Sequence, residues 1–405
     1  MKRSVLLLLV LAIVTSVVGP FAFAAATKAA PAPADKSPMA PVAAAISTVT
    51  GIAISPLLGT GAFGAYKWFT AKDDAARAAL PWYAQMKYWL SMLLVVGVCA
   101  AKDVFGAAVP AALKKPFDIV EAVENKMSGI VAAGAVVPFT VSTFMDILVH
   151  PASNTAGALV TPSGLAAIQI GAIDGASILT ALALPGALAV FAVVWMASHA
   201  INVLILLSPW GAIDAALKGA RTGLLGLVTI TSALNPWAGA ALSLVVILLA
   251  YLLAGWAFRL TVFGSVFCWD FFTMRAGRFS PRENDNAMFA GAHLPGVPVR
   301  TYGRLVQRTE GGLQFFYRPW PWMPVRSAKL AALPAELRVG RGLFFSEIAN
   351  LEDRTFFLLP PRYRGHEETL ARAYFLAGVQ PAGLNKAWSE LREMLGGRAT
   401  PVANA

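Results

Sequence analysis

The stretch TGLLGLVTITSALNPWAGAALSLVVILLAYLLAGWAFRLTVFGSVFCWDFF, Thr222 to Phe272, holds one cation, Arg259, and one acid, Asp270, in an otherwise uncharged run. A helix needs about 20 apolar residues to cross a bilayer core. The run is therefore too long for one crossing and about right for two, with the turn expected within Ala250–Gly255. Whether these residues make one helix or two sets the number of spans, and with it the side of the membrane on which everything after Phe272 lies.

Working outward, further apolar segments occupy Val42–Tyr66, Trp89–Leu113, Met127–Val149, Leu165–Leu184 and Ala187–Leu207, with Pro185-Gly186 expected to form a tight hairpin between the last two. Seven crossings result over 42–272. Bulk composition agrees: 57% of the 405 residues are hydrophobic and 14% charged, with a mean hydropathy of +0.62. Soluble domains run at about 45–50% apolar and about 25% charged. The expected fold is mainly α: a polytopic helical membrane bundle, followed by a small β-rich domain closed by an amphipathic helix.

The first residues, MKRSVLLLLVLAIVTSVVGPFAFA, have the layout of a secretory signal, with Lys2 and Arg3 before an apolar core and Ala22-Phe23-Ala24 as a cleavage site. An uncleaved first helix is the alternative, although Gly19-Pro20 would break it early. Residues 1–24 are thus expected to be a signal peptide and 25–41 a Pro/Ala-rich linker. Lys67, Lys72, Arg77 and Lys87 lie in one loop, and Arg275, Arg278 and Arg282 follow the last apolar run. The positive-inside rule puts both groups on the cytoplasmic side. The expected location is the bacterial inner membrane, multi-pass, with a cytoplasmic C-terminal domain. Cys99 and Cys268 both sit in apolar runs, so neither a disulfide framework nor a zinc site is expected. No cofactor or metal is implied.

Two charged segments interrupt the apolar pattern: KKPFDIVEAVENK (Lys114–Lys126) and PWGAIDAALKGAR (Pro209–Arg221). Pro116 aligns with Pro209, Phe117 with Trp210, Val120 with Ile213, and Glu121 with Asp214. Each reads as a short interfacial helix opened by proline. In the second, Ile213, Ala216, Leu217 and Ala220 share a face opposite Asp214, Lys218 and Arg221. Three expected spans separate the copies, so they would lie on opposite sides as an inverted repeat, a plan used by secondary transporters. Chance similarity between small-residue helices is the rival explanation.

Ionisable residues inside spans cost roughly 2.5–3.5 kcal/mol on insertion scales and usually face a cavity or a partner. Lys102, Asp103, Asp174, His199 and Arg259 are such residues. Together with Glu121 and Asp214 of the repeat, Lys102, Asp103, Asp174 and His199 form a candidate polar path. The competing reading is an interhelical contact that fixes packing, for which His199 and Arg259 are the stronger cases.

After residues 273–298, expected to be a linker, the chain turns strand-like. GRLVQR and LQFFYR flank TEGG, and GLFFSEI and TFFLLP flank ANLED, as two hairpins would. GLNKAWSELREMLGG places Leu384, Trp388, Leu391 and Leu395 on one helical face. The domain is bounded at 299–396, with a tail at 397–405. Arg300, Arg304 and Arg318, with Trp320 and Trp322 of FFYRPWPWMP, are candidate lipid-contact residues. Positive-inside bias explains the same arginines without binding, and the aromatic stretch is either a membrane-dipping loop or an edge strand. No nucleic-acid recognition motif accompanies the charge.

ISPLLGTGAFGAY (Ile54–Tyr66), KKPFDIVEAVENK and the glycine-rich later spans resemble a family of bacterial inner-membrane proteins of unknown function, over about residues 42–260. The resemblance implies a polytopic fold and no activity. The strand pattern of 299–396 with its final helix is similar to the pleckstrin-homology-like barrel. No catalytic motif points to an enzyme. Two functions are expected from the residues: a permease for a small molecule, ion or lipid, or a membrane-anchored scaffold whose C-terminal domain binds lipid or protein. The bilayer, anionic headgroups and a second copy of the chain are the expected partners.

Overall fold

The computed structural model describes residues 40–106, 128–140, 175–207, 211–308, 312–342 and 345–383. The chain divides into two compact units at Ala257/Phe258.

The first unit is helical. Its elements are α1 (Ala40–Ile54), α2 (Pro56–Thr70), α3 (Asp74–Ala78), α4 (Met86–Gly106), α5 (Ser128–Thr140), α6 (Gly175–Leu207), α7 (Gly211–Leu234) and the first part of α8 (Pro236–Phe272). Pro56 breaks the first expected span in two, because its ring removes a helix hydrogen bond. Ser198 Oγ of α6 donates to the Ile54 carbonyl at 2.5 Å, satisfying an acceptor that the break leaves open. Ile52, Val136, Phe139, Phe191, Val194, Leu225 and Val228 pack into one buried cluster.

The polytopic bundle expected from the sequence is overturned. Among the described residues, two helical stretches are long and apolar enough to cross a membrane, Ala183–Ile205 and Pro236–Phe272. α1 and α2 have 15 residues each. At 1.5 Å per residue each covers about 22 Å, short of the roughly 30 Å hydrocarbon core. Pro185 makes no hairpin; it lies inside α6, a single helix. PWGAIDAALKGAR is not a separate interfacial helix either, since from Gly211 onward it forms the opening turns of α7. Its proposed partner, KKPFDIVEAVENK, lies outside the described residues, as do residues 1–39, with the signal and all but the last two residues of the linker, and the closing helix from 384. The inverted repeat therefore falls with the bundle.

The Thr222–Phe272 run does break, but at Asn235-Pro236 and not at Ala250–Gly255. Asn235 Oδ1 accepts from the backbone N–H groups of Trp237 and Ala238, at 2.8 and 3.2 Å, and Pro236 fills the first turn, where no N–H is needed. From there α8 runs unbroken for 37 residues, about 55 Å. Leu244, Val245, Leu248, Leu249, Tyr251, Leu252 and Leu253 are all exposed along it. Its last part, from Phe258, belongs to the second unit, where Leu260, Phe263, Cys268 and Asp270 are buried.

The second unit is built on an eight-stranded sheet: β1 (Asp285–Ala290), β2 (Tyr302–Gln307), β3 (Leu313–Tyr317), β4 (Arg326–Lys329), β5 (Leu337–Arg341), β6 (Glu347–Asn350), β7 (Thr355–Leu358) and β8 (Val379–Pro381), with α9 (Glu367–Ala373) before the last strand. The order is β4-β3-β2-β1-β7-β6-β5-β8. Two antiparallel meanders, β1–β4 and β5–β7, meet where β1 pairs with β7, and β8 adds in parallel at the edge beside β5. In the β2–β3 hairpin Leu305 faces Phe315. Alternate residues point inward, as strand geometry requires: Leu313, Phe315 and Tyr317, then Leu337 and Val339, join Met288, Ile348 and Phe357 in one core. β1 falls in the segment read as a linker from sequence.

Helix α8 is locked to this sheet. Phe263 packs on Phe289 of β1, with ring centres 4.7 Å apart. Asp270, its side chain fully buried, accepts from the Arg362 backbone N–H at 3.3 Å and from Arg362 Nε at 2.7 Å. Arg275 Nη1 stands 3.7 Å from the other carboxylate oxygen, a charge contact without a hydrogen bond. His366 Nε2 meets the Ala276 carbonyl at 2.7 Å, fixing the turn that follows the helix.

Candidate functional site: an arginine-lined pocket

A pocket of about 440 Å³ opens in the second unit between α8 and the β2–β3 hairpin. Four arginines line it: Arg259 from α8, Arg300 from the segment before β2, Arg304 from β2 and Arg318 just after β3. Its other walls are largely apolar or aromatic, including Phe258, Val262, Phe316 and Val325. Three of the five candidate lipid-contact residues thus share one cavity, joined by Arg259, which the sequence had placed inside a span.

The hairpin brings these groups together by strand alternation. Arg304 pairs with Phe316 across β2–β3, and Gly303 pairs with Tyr317, from which Arg318 follows. Gly303 is required by contact: a Cβ there would lie 2.4 Å from the Phe316 carbonyl oxygen and 2.4 Å from Phe315 Cζ. No side chain fits in that space.

The four guanidinium groups are not equivalent. Arg304 is held by Asp285, with Nε to Oδ1 at 2.7 Å and Nη2 to Oδ2 at 2.5 Å. Arg318 is exposed, and its Nη1 donates to the Pro321 carbonyl at 3.3 Å. The Nε atoms of Arg259 and Arg300 are buried and, among the described residues, have no hydrogen-bond partner. The Arg300 guanidinium lies over the Phe263 ring, 5.8 Å from its centre, and burial lowers its pKa below the ordinary arginine value. Arg300 also adopts φ +62°, a left-handed conformation that suits glycine. Its backbone N–H donates to the Ala290 carbonyl at 2.8 Å, which fixes it in that conformation.

Trp320 and Trp322 do not line the pocket. They form a stacked series of rings with Phe258: Phe258 to Trp320 at 4.5 Å and Trp320 to Trp322 at 5.1 Å. Trp322 is 75% exposed. The aromatic stretch therefore divides: Phe315–Tyr317 end strand β3, with Phe315 and Tyr317 in the core and Phe316 on the pocket wall, and the Trp320–Trp322 part is a loop that rests on the helix.

The candidate polar path does not assemble among the described residues. Glu121 and Asp174 lie outside them. Lys102 and Asp103 fall in α4, and Asp214 in α7. His199 is buried in α6 and stacked on Trp195 at 5.3 Å, as a packing residue would be. Nearby, Arg221 Nη1 donates to Asn202 Oδ1 at 2.6 Å, a contact between α6 and α7 that sequence reasoning missed. Asp270 and Arg362 were missed as well. The one available signal was a lone acid closing an apolar run. No family model matches the chain, and neither does a curated protein or a solved structure.

Proposed function

We propose that this chain is a membrane-anchored scaffold, with the first part of α8, Pro236–Ala257, in the bilayer and the sheet domain recognising partners at the membrane surface. The observation that carries this is the apolar surface that α8 exposes between Leu244 and Trp256, with only Val246 and Ala250 of that run buried. Exposed apolar surface of that extent marks a membrane or protein contact. The run has no polar face, unlike the two-sided pattern of a surface helix. Leu248 is 57% exposed and Leu252 68%.

Arg259 follows this run directly, and Arg275, Arg278 and Arg282 lie beyond the helix end. Cations at the end of an apolar helix favour the cytoplasmic face of an inner membrane and its anionic lipids. The Trp322 loop supplies an aromatic ring of the kind that partitions to the headgroup layer. The permease expectation depended on a polytopic inverted repeat and is not carried forward.

The test is Leu248→Lys with Leu252→Lys in the full chain. Each lysine costs roughly 2.5–3.5 kcal/mol at mid-bilayer. The wild-type chain is expected to resist alkaline extraction from membranes, and the double variant to be released or degraded. A wild-type chain that purifies monodisperse without detergent would refute the anchor.

A further inference from the structure

The pocket, taken by itself, carries an inference about its ligand. We propose that the cavity lined by Arg259, Arg300 and Arg318 binds a phosphate group, borne by an amphiphile whose apolar part lies against Phe258, Val262 and Val325. The ligand class deepens the surface-recognition reading and rests on it only for the lipid source, since the pocket can take phosphate whether or not α8 is in a bilayer.

Three independent features converge. First, Arg300 keeps a left-handed backbone conformation that glycine would adopt without strain. Strain of this kind persists where surrounding contacts enforce it, and such residues cluster at ligand sites. A side chain retained at that cost is there for its guanidinium. Second, two buried Nε donors, on Arg259 and Arg300, have no acceptor among the described residues. Buried polar groups are otherwise almost always paired, so both guanidinium groups keep unspent hydrogen-bonding capacity beside the cavity. Third, the charge is in excess. Among the described residues, Arg304 alone of the four has a carboxylate partner, Asp285, and the pocket lining includes no acid.

Guanidinium forks match the tetrahedral oxygens of phosphate in geometry and charge, and hydrogen bonds between charged groups are about twice as strong as neutral ones. The apolar walls argue against a fully hydrated inorganic ion as the preferred ligand. They favour an anionic head joined to an apolar body. Burial of Arg300 raises the value of an anion there, because a low local dielectric strengthens the attraction.

The test uses the full-length chain in neutral detergent and in nanodiscs. Trp320, stacked on Phe258 at the pocket edge, serves as the fluorescent reporter. The probes are inorganic phosphate in solution, and nanodiscs of phosphatidylcholine with or without phosphatidic acid. Phosphatidic acid is expected to saturate the signal, and Arg300→Gln or Arg259→Gln to weaken binding at least tenfold. Arg326→Gln, on the exposed edge strand, is expected to bind as wild type. Arg300→Gly separates binding from folding: it relieves the left-handed strain, so it should melt no lower than wild type and still lose binding.

Saturation by the lipid alone assigns the phosphate to a headgroup, and saturation by both probes assigns it to phosphate in general. The proposal is overturned if neither probe binds, or if Arg300→Gly binds as tightly as wild type. Failure of the membrane anchor would leave the inorganic phosphate arm intact, so the two readings fail separately.

Discussion

Replacing Asp270 tests how the long helix is joined to the sheet. Its side chain is fully buried, and it holds Arg362, whose side chain is only 7% exposed. Asp270→Asn keeps the shape and one acceptor but removes the charge, so the Arg362 guanidinium is left buried without a counter-charge. Breaking a buried pair by removing one partner costs about 3–5 kcal/mol. Asparagine retains an acceptor, so the low end applies, near 3 kcal/mol, with Asp270→Ala towards the upper end. For a unit of this size each kcal/mol moves Tm by about 2–4 °C, which gives a fall of about 6–12 °C. The assay is thermal unfolding of the full chain in detergent, with hydrogen exchange read on the β1 and α9 peptides to localise the loss. Asp270→Leu combined with Arg362→Met replaces the pair by apolar side chains of similar bulk and should recover most of the stability. A single variant within about 0.5 kcal/mol of wild type, or a double variant as weak as the single, refutes the assignment of this pair as the clamp.

Other outcomes follow from the same contacts. Gly303→Ala forces a Cβ into the Phe316 carbonyl and the Phe315 ring; overpacking should cost about 1–3 kcal/mol, read as a lower Tm together with weaker phosphate binding. Tyr374 is buried, donates to the Leu305 carbonyl at 2.7 Å, and burial pushes its pKa from 10.0 up to about 12 despite the hydrogen bond from Asn286. The folded state then holds this proton more tightly than the unfolded state, so stability is full below pH about 10 and falls between about 10 and 12. Burial raises Tyr363 in the same direction. On an alkaline titration, the part of the tyrosinate absorbance that comes from Tyr363 and Tyr374 should therefore appear only with unfolding; a normal titration of every tyrosine before unfolding would contradict it. Trp322→Ala should leave Tm unchanged, since the ring is largely exposed, and should reduce association of the domain with anionic bilayers. Equal association would remove the loop from the membrane contact.

Some of this was legible in the residues. Strand alternation in GRLVQR and LQFFYR gave the β2–β3 hairpin, because period-2 patterning and a glycine turn are local properties. The cluster of Arg300, Arg304 and Arg318 stood out by charge alone. The pocket did not, since it needs Arg259, which lies 41 positions before Arg300 in a run that the sequence suggests is two membrane spans. Apolar residues look the same whether they meet lipid or a sheet. Leu248 and Phe263 both sit in the opening stretch, yet one is exposed and the other packs on Phe289.

Sequence by itself determined that the chain is strongly apolar and that charge gathers after Phe272; it did not determine where helices end, since Pro56 and Asn235-Pro236 break helices whereas Pro185 lies inside one. Only the tertiary structure decided that Pro236–Phe272 is one helix, that its far part packs on a sheet domain, and that the described residues hold two stretches able to cross a membrane in place of the seven expected. The physical reason is that hydrophobicity has no direction. It drives residues out of water with a strength set by area, and which surface receives them is fixed by contacts between residues far apart in the chain.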